Sequence, residues 1–296
     1  MANGISLGAM NESLTDELRY LERPEGRISY TVTGNGPLIV AVPGMGDLRS
    51  TYRDLVPPLV AAGYRVAVTD VRGHGDSDRT FREHGDIATA HDLIALIDEL
   101  GGPAVVLGNS MGASAAAWAS AERPDAVAGL VLVSPFLREP PASAAKAAAM
   151  RVMFQTLLLP PWGIGVWAGY FAKTLSRGAQ PSWLGEQVAD IRASLKRDHG
   201  LSQFRALAGQ LDHSVVEKRA DEIHTPAIIF VGELDPDYSD PTAELAWMGE
   251  RIGATTVPVP DAGHYPQFQR PDVVVPATLD FLAGLRVGDG WAGSRA

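Results

Sequence analysis

Read for hydrophobic and polar positions, the chain alternates short apolar runs with longer segments of helical period. Two β-like stretches come first, residues 18–21 and 27–33, separated by Pro24-Glu25-Gly26. In such a spacer proline fixes one backbone angle and glycine tolerates the unusual one, which makes it turn chemistry. Runs rich in Val, Ile and Leu follow at 37–42, 65–69, 104–107 and 128–133 and read as buried strands. Between them, 51–62, 87–100 and 111–122 carry helical spacing. This alternation predicts an α/β protein, with a mostly parallel sheet covered by helices on both faces.

The rhythm breaks after Pro135. From about residue 137 to 218 no comparable buried strand occurs, and the region is alanine-rich with Pro160-Pro161, Trp162, Trp167, Tyr170, Phe171 and Trp183. Alternation then resumes with a strand at 227–231, a helix at 241–252, a strand at 255–259 and a helix at 272–285. The predicted organisation is a core over 1–136, a helical insertion over 137–218 capping one edge of the sheet, and the rest of the core over 219–296. The tail from Gly288 to Ala296 is polar and glycine-rich and is expected to fray.

Composition narrows the function classes. With 296 residues, 46% of them apolar and 20% charged, the chain has an ordinary globular profile. A formal charge of −10 without any Lys/Arg cluster argues against nucleic acid or an anionic membrane as the main partner. The absence of cysteine excludes disulfides, thiolate metal sites and a cysteine nucleophile. The first residues, Met1 to Met10, lack a basic start followed by a long apolar stretch, so no signal peptide is expected. The apolar region at 150–159 carries Arg151 and Gln155 and is shorter than the roughly 20 residues of a membrane span. A cytoplasmic protein acting on a small molecule is the expectation; oligomeric state is not legible.

The strongest chemical signal is Gly108-Asn109-Ser110-Met111-Gly112, directly after one predicted strand and directly before a predicted helix. A sharp strand-to-helix turn strains its central residue and leaves no room for side chains two positions away, and glycine at both flanks meets that requirement. Such a turn lifts the Ser110 hydroxyl off the sheet above the free N–H groups of a helix start. A serine hydroxyl needs a base. Of the seven histidines, His264 lies in Pro260-Asp261-Ala262-Gly263-His264, just beyond the strand at 255–259. That is the carboxyl end of the sheet, where ligands bind in open α/β folds. The orienting acid should follow a strand between serine and histidine; Gly232-Glu233-Leu234-Asp235-Pro236-Asp237 offers Asp235, with Glu233 and Asp237 as competitors. Backbone amides of Met111 and of Met45, in Pro43-Gly44-Met45-Gly46, are the candidate oxyanion donors.

These motifs in this order resemble the α/β-hydrolase family, over roughly residues 27–285. The resemblance takes in Pro43-Gly44-Met45-Gly46, the segment Arg72-Gly73-His74-Gly75, the serine turn, Asp235 and Gly263-His264. It implies the α/β-hydrolase fold with a helical cap insertion, and it makes Arg72 and His74 structural. It departs from the family at Pro43, where the oxyanion loop usually opens with His-Gly. The expected chemistry is cleavage of carboxylic esters through an acyl-enzyme, with Ser110 as nucleophile, His264 as base and Asp235 orienting it, and with no metal or organic cofactor. The serine turn is also similar to that of hydrolases that cleave carbon–carbon bonds of aromatic ring-cleavage products, and the chain resembles cofactor-free perhydrolases and haloperoxidases. A non-catalytic ligand receptor on the same scaffold is the alternative from another class. Trp162, Trp167, Tyr170, Trp183 and Tyr265 are expected to line an apolar substrate pocket; the plainer alternative is that most of these aromatics form the insertion's own core.

Overall fold

The computed structural model describes residues 17–139 and 143–288. The readings made on residues 1–10 and 289–296, and the part of the helical region at 140–142, lie outside the described residues. Eight strands form one sheet: β1 (Arg19–Arg23), β2 (Gly26–Thr33), β3 (Leu38–Val42), β4 (Arg65–Thr69), β5 (Ala104–Asn109), β6 (Val127–Val133), β7 (Ala227–Gly232) and β8 (Thr255–Val259). Their spatial order is β1-β2-β4-β3-β5-β6-β7-β8. The β1–β2 and β2–β4 pairs are antiparallel, and every pair from β4 to β8 is parallel.

The uninterrupted apolar runs have a direct cause. In β3 the side chains of Val40 and Val42 join one core while Ile39 and Ala41 join another, and β6 and β7 divide in the same way. A strand buried on both faces has no polar alternate. One core is roofed by α2 (Asp86–Glu99), α3 (Met111–Glu122) and α9 (Pro241–Ile252), the other by α1 (Val56–Ala61) and α11 (Pro271–Gly288). In α3 every residue from Met111 to Ser120 is buried. A helix enclosed all round must be apolar or small all round, and here mostly small residues let it lie against both α2 and the sheet.

One predicted element is corrected. The single helix expected over 51–62 is a 3-10 turn, Arg49–Tyr52, followed by the short helix α1. Pro57 and Pro58 lack the N–H an interior position needs, so an α-helix can contain them only in its first turn and has to begin at Val56.

Between β6 and β7 the described chain forms helices alone: α4 (Ala144–Leu157), α5 (Gly163–Tyr170), α6 (Leu184–Lys196), α7 (Gly200–Gln210) and α8 (Ser214–Glu217), with a π turn at Phe171–Leu175 and a 3-10 turn at Ala220–Glu222. These helices share a third apolar cluster, in which Trp167, Phe171, Ile191 and Phe204 meet Leu48, Tyr265 and Phe268 from the loops at the sheet's carboxyl end. No helix among the described residues is long and apolar enough to cross a membrane.

Arg72 and His74 hold the turn after β4. The Arg72 guanidinium donates to both carboxylate oxygens of Asp92 on α2, at 2.6 and 2.9 Å, and Arg23 adds a third bond at 2.8 Å. His74 bonds through Nδ1 to the Arg72 carbonyl at 2.9 Å. Because the Arg72–Asp92 pair is nearly enclosed, Asp92→Ala should strand a buried cation and lower unfolding free energy by about 3–5 kcal/mol in urea denaturation.

Candidate active site

The turn between β5 and α3 puts Ser110 at φ 55° and ψ −124°, a region that costs a non-glycine residue roughly 1–3 kcal/mol. Its neighbours show why the flanks are glycine. A Cβ on Gly108 would lie 2.5 Å from the Ala113 nitrogen, and one on Gly112 would lie 2.6 Å from the carbonyl oxygens of Val42 and Pro43. The turn is locked by Ser110 N–H donating to the Val133 carbonyl at 2.9 Å and by the Ser110 carbonyl accepting from Ala113 and Ser114, both at 3.0 Å.

The loop after β3 runs directly beside it, so close that a Cβ on Gly44 would stand 2.8 Å from the Ser110 Cβ. Met111 begins α3, and its amide has no carbonyl one turn back to bond. Among the described residues no backbone carbonyl engages the amide of Met45 or of Met111. Two unspent donors flanking a hydroxyl can stabilise negative charge developing on a substrate oxygen without reorganising. Trp167 reaches down from α5 and donates its indole N–H to the Gly46 carbonyl at 2.9 Å, fixing that loop from above.

His264 is held by backbone contacts from three sides. Its N–H donates to the Leu175 carbonyl at 2.8 Å, and its carbonyl accepts from the Asn109 side chain at 3.1 Å. Gln269, in the short helix α10 (Pro266–Gln269), accepts from the amides of Gly263 and Tyr265 at 2.9 and 3.2 Å and donates to the Arg177 and Ala179 carbonyls, each at 2.8 Å. The Asp235 loop packs against this one, with Leu234 N–H donating to the Ala262 carbonyl at 2.9 Å. The consequence is a buried contact between His264 Nδ1 and both Asp235 oxygens, at 2.9 and 3.1 Å. Of the two competing acids, Glu233 is exposed, whereas Asp237 stands 3.5 Å from the same ring nitrogen and accepts from the Tyr170 hydroxyl at 3.1 Å.

Burial opposes a charge on His264, but the carboxylates of Asp235 and Asp237, the Asp235 hydrogen bond and the more distant Asp47 outweigh it and push the ring up to about 9. Burial pushes the Asp47 carboxyl up to about 6, against hydrogen bonds from Gln187 and the Leu48 amide. The structure thus brings Ser110, His264, Asp235, Met45 and Met111 to one end of the sheet. It forms the histidine–carboxylate bond but no hydrogen bond between Ser110 and His264, a contact that commonly tightens only when substrate is bound. Asp235, Asp237 and His264 are also the one donor set, among the described residues, whose atoms all lie within 4.8 Å of one another. A shared ion would have to displace the bond that Nδ1 already makes to Asp235.

A cavity of about 460 Å³ has walls that include Met153, Phe154, Leu157, Trp167, Tyr170 and His213, and it is tied to the site through Trp167, bonded to Gly46, and Tyr170, bonded to Asp237. Of the five aromatics expected at a substrate pocket, Trp167 and Tyr170 line this cavity, and Trp162, Trp183 and Tyr265 do not. Trp162 is 52% exposed on the outside of the helical segment. Trp183 turns toward the start of α1, donating to Asp54 at 3.0 Å with the Arg53 guanidinium 4.3 Å over its ring. Tyr265 is 2% exposed and stacks on Phe268 with ring centres 5.0 Å apart. Trp167, Trp183 and Tyr265 also pack in the third apolar cluster. Sequence reading missed Asn109 and Gln269, which position the histidine loop, and His213, which lies in the cavity wall. For Asn109 a signal existed, its place inside the serine turn; Gln269 and His213 carry none.

Residues 39–277 match the family model described as "Alpha/beta hydrolase family". "Epoxide hydrolase A" of Mycobacterium tuberculosis is 27% identical, the match covering 95% of this chain and all (100%) of that protein. "Probable esterase D14L" of Oryza sativa subsp. japonica is 26% identical, over 84% of this chain and 93% of that one. Among solved structures, a thermophilic esterase from Thermogutta terrifontis superposes with a TM-score of 0.71 at 24% identity, covering 91% of this chain and 99% of that one.

The hydrogen bonds of Gln269 yield a test of how the histidine loop is held. Gln269→Leu should leave the Gly263 and Tyr265 amides unpaired, costing about 2–4 kcal/mol in denaturation and accelerating hydrogen exchange at those two positions selectively.

Proposed function

Because this chain belongs to the alpha/beta hydrolase family, we propose that it is a serine hydrolase of carboxylic esters, working through an acyl-enzyme on Ser110. The observation that carries the reading is the buried His264–Asp235 bond, at 2.9 Å, beside a strained serine flanked by two unengaged amides. Ser110 Oγ attacks the ester carbonyl as His264 Nε2 takes its proton. The oxygen, now negative, is held by the Met45 and Met111 amides. His264 returns the proton to the departing alcohol, and then deprotonates the water that releases the acid and restores Ser110. Asp235 keeps the Nδ1 proton in place, so that Nε2 is the free lone pair, and stabilises the ring while it is charged. The helical segment acts as a cap: its apolar cavity suits an acyl group of small to medium size.

The epoxide hydrolase relative does not transfer its chemistry. Attack by a serine oxygen on the saturated carbon of an epoxide would create an ether, and neither His264 nor Asp235 could return the enzyme from it by hydrolysis. Attack on a carbonyl gives an ester, which water cleaves. A serine at this turn therefore points to acyl substrates.

Two measurements test the reading. With p-nitrophenyl butanoate, Ser110→Ala should lose the burst of acyl-enzyme and at least a thousandfold in kcat; a burst that survives identifies a different nucleophile. The pH profile tests the base. His264 must be neutral to accept a proton, and its raised pKa means that it is mostly charged at pH 7, so kcat/KM should climb with pH until about 9. Asp237→Asn removes one of the carboxylates that raise the ring, so the rise should move to lower pH.

A further inference from the structure

A second histidine–carboxylate pair stands beside this cavity, with its histidine in the wall. His213, just before α8, bonds through Nδ1 to the Asp86 carboxylate at 2.8 Å, with both side chains buried. Its ring stacks on Phe136, centres 4.6 Å apart and planes 12° apart, and its own amide donates to Glu139 at 2.6 Å. The imidazole is therefore fixed in both position and tilt. Its remaining polar atom, Nε2, makes no hydrogen bond among the described residues, while the ring itself lines the cavity. Phe136 also faces the first histidine, its centre 6.1 Å from that of His264.

The chemistry of such a wall is specific. A buried carboxylate costs several kcal/mol unless paired, and Asp86 has its second oxygen, Oδ1, without a partner. Packing alone would favour an apolar residue at this point, since Met153, Phe154, Leu157 and Trp167 surround the same space. Burial disfavours a charge on His213 and raises the pKa of Asp86, but at His213 the Asp86 carboxylate and hydrogen bond prevail and raise the pKa, which favours the form of the ring with a proton on Nε2. A single oriented donor in an apolar cavity selects a ligand oxygen at one place. Glu139, also in the wall, adds negative charge at the same end, which disfavours a carboxylate and favours a neutral oxygen.

We propose that His213, held by Asp86 and Phe136, is a specificity-determining residue that binds a neutral carbonyl or hydroxyl oxygen several bonds from the scissile carbonyl. The assignment rests on the esterase reading for the identity of the cavity as the acyl site, so its test is one of binding. The probes are N-phenylhexanamide, an unreactive amide, and its 4-oxo and 5-oxo analogues, titrated by calorimetry.

In the wild type at least one oxo compound should bind about tenfold more tightly than the parent amide, as a charge-assisted hydrogen bond warrants. In Asp86→Asn/His213→Phe, which removes the donor and its counter-charge together, the two affinities should become equal while the parent still binds. His213→Gln, which keeps a donor on a different reach, should show a preference between the two, and it decides the matter should the double variant not fold. Equal affinity for oxo and parent compounds in the wild type overturns the proposal, as does failure of the wild type to bind either. So does a full wild-type preference in either variant. Oxo preference in a wild type that turns over no ester would sustain the His213 assignment and sink the esterase reading alone.

Discussion

The architecture turns on how closely backbone approaches backbone at the carboxyl end of the sheet. Ser110 sits at φ 55° because the start of α3 folds straight back over the end of β5 and against the end of β3. That approach is closed to any residue with a Cβ at positions 108 and 112. The same demand recurs where the β7 and β8 loops meet: a Cβ on Gly232 would fall 2.0 Å from the Gly263 carbonyl oxygen. Two crowded backbone crossings thus bring the loops that carry Ser110, Asp235 and His264 together at one end of the sheet. The strain at Ser110 persists because both chain directions leaving it are anchored, one through Val133 and the other through the first turn of α3.

The helical segment between β6 and β7 is part of this construction. The carbonyl of Leu175, at the end of the π turn, accepts from His264 N–H, and Gln269 spans from the histidine loop to Arg177 and Ala179. On the opposite side Trp167 is tied to Gly46 in the loop that offers the Met45 amide. The segment is therefore anchored on both sides of Ser110, while the exposed apolar side chains of α4, Met150, Val152 and Met153, carry few such ties. Motion that admits a ligand is cheapest at α4, where the least buried contact is lost.

How much of this the sequence carried follows from what kind of constraint each residue obeys. The strands were legible because burial on both faces leaves unbroken apolar runs. Ser110 and its flanking glycines were legible because a strained turn restricts composition locally, and Asp235 and His264 because both stand within a few residues of a strand end. The helix at 51–62 was misread because its apolar spacing continues through Pro57-Pro58 although hydrogen bonding cannot. The packing of Trp183 and Tyr265 was not legible, because an aromatic residue looks the same in sequence whether it lines a cavity or fills a core. Asp86 and His213 are 127 positions apart, and no local pattern pairs residues at that distance.

The electrostatics of the interior follow from the placement of these pairs. Around His264 stand Asp235, Asp237 and, farther off, Asp47, an excess of negative charge about one ring. In water such a cluster would be screened; in a buried site it acts on the ring more strongly. In the proposed mechanism the excess would stabilise the imidazolium that forms when Ser110 gives up its proton, and so lower the barrier to attack. It also holds the resting ring charged near neutral pH, where it cannot accept that proton. Asp237 mediates between these effects. Burial raises its own pKa, and the Tyr170 hydroxyl donates to it from the cavity wall. A ligand that displaces water around Tyr170 and Asp237 would further disfavour charge on the carboxyl, weaken its hold on His264, and release the base for reaction when the cavity is filled.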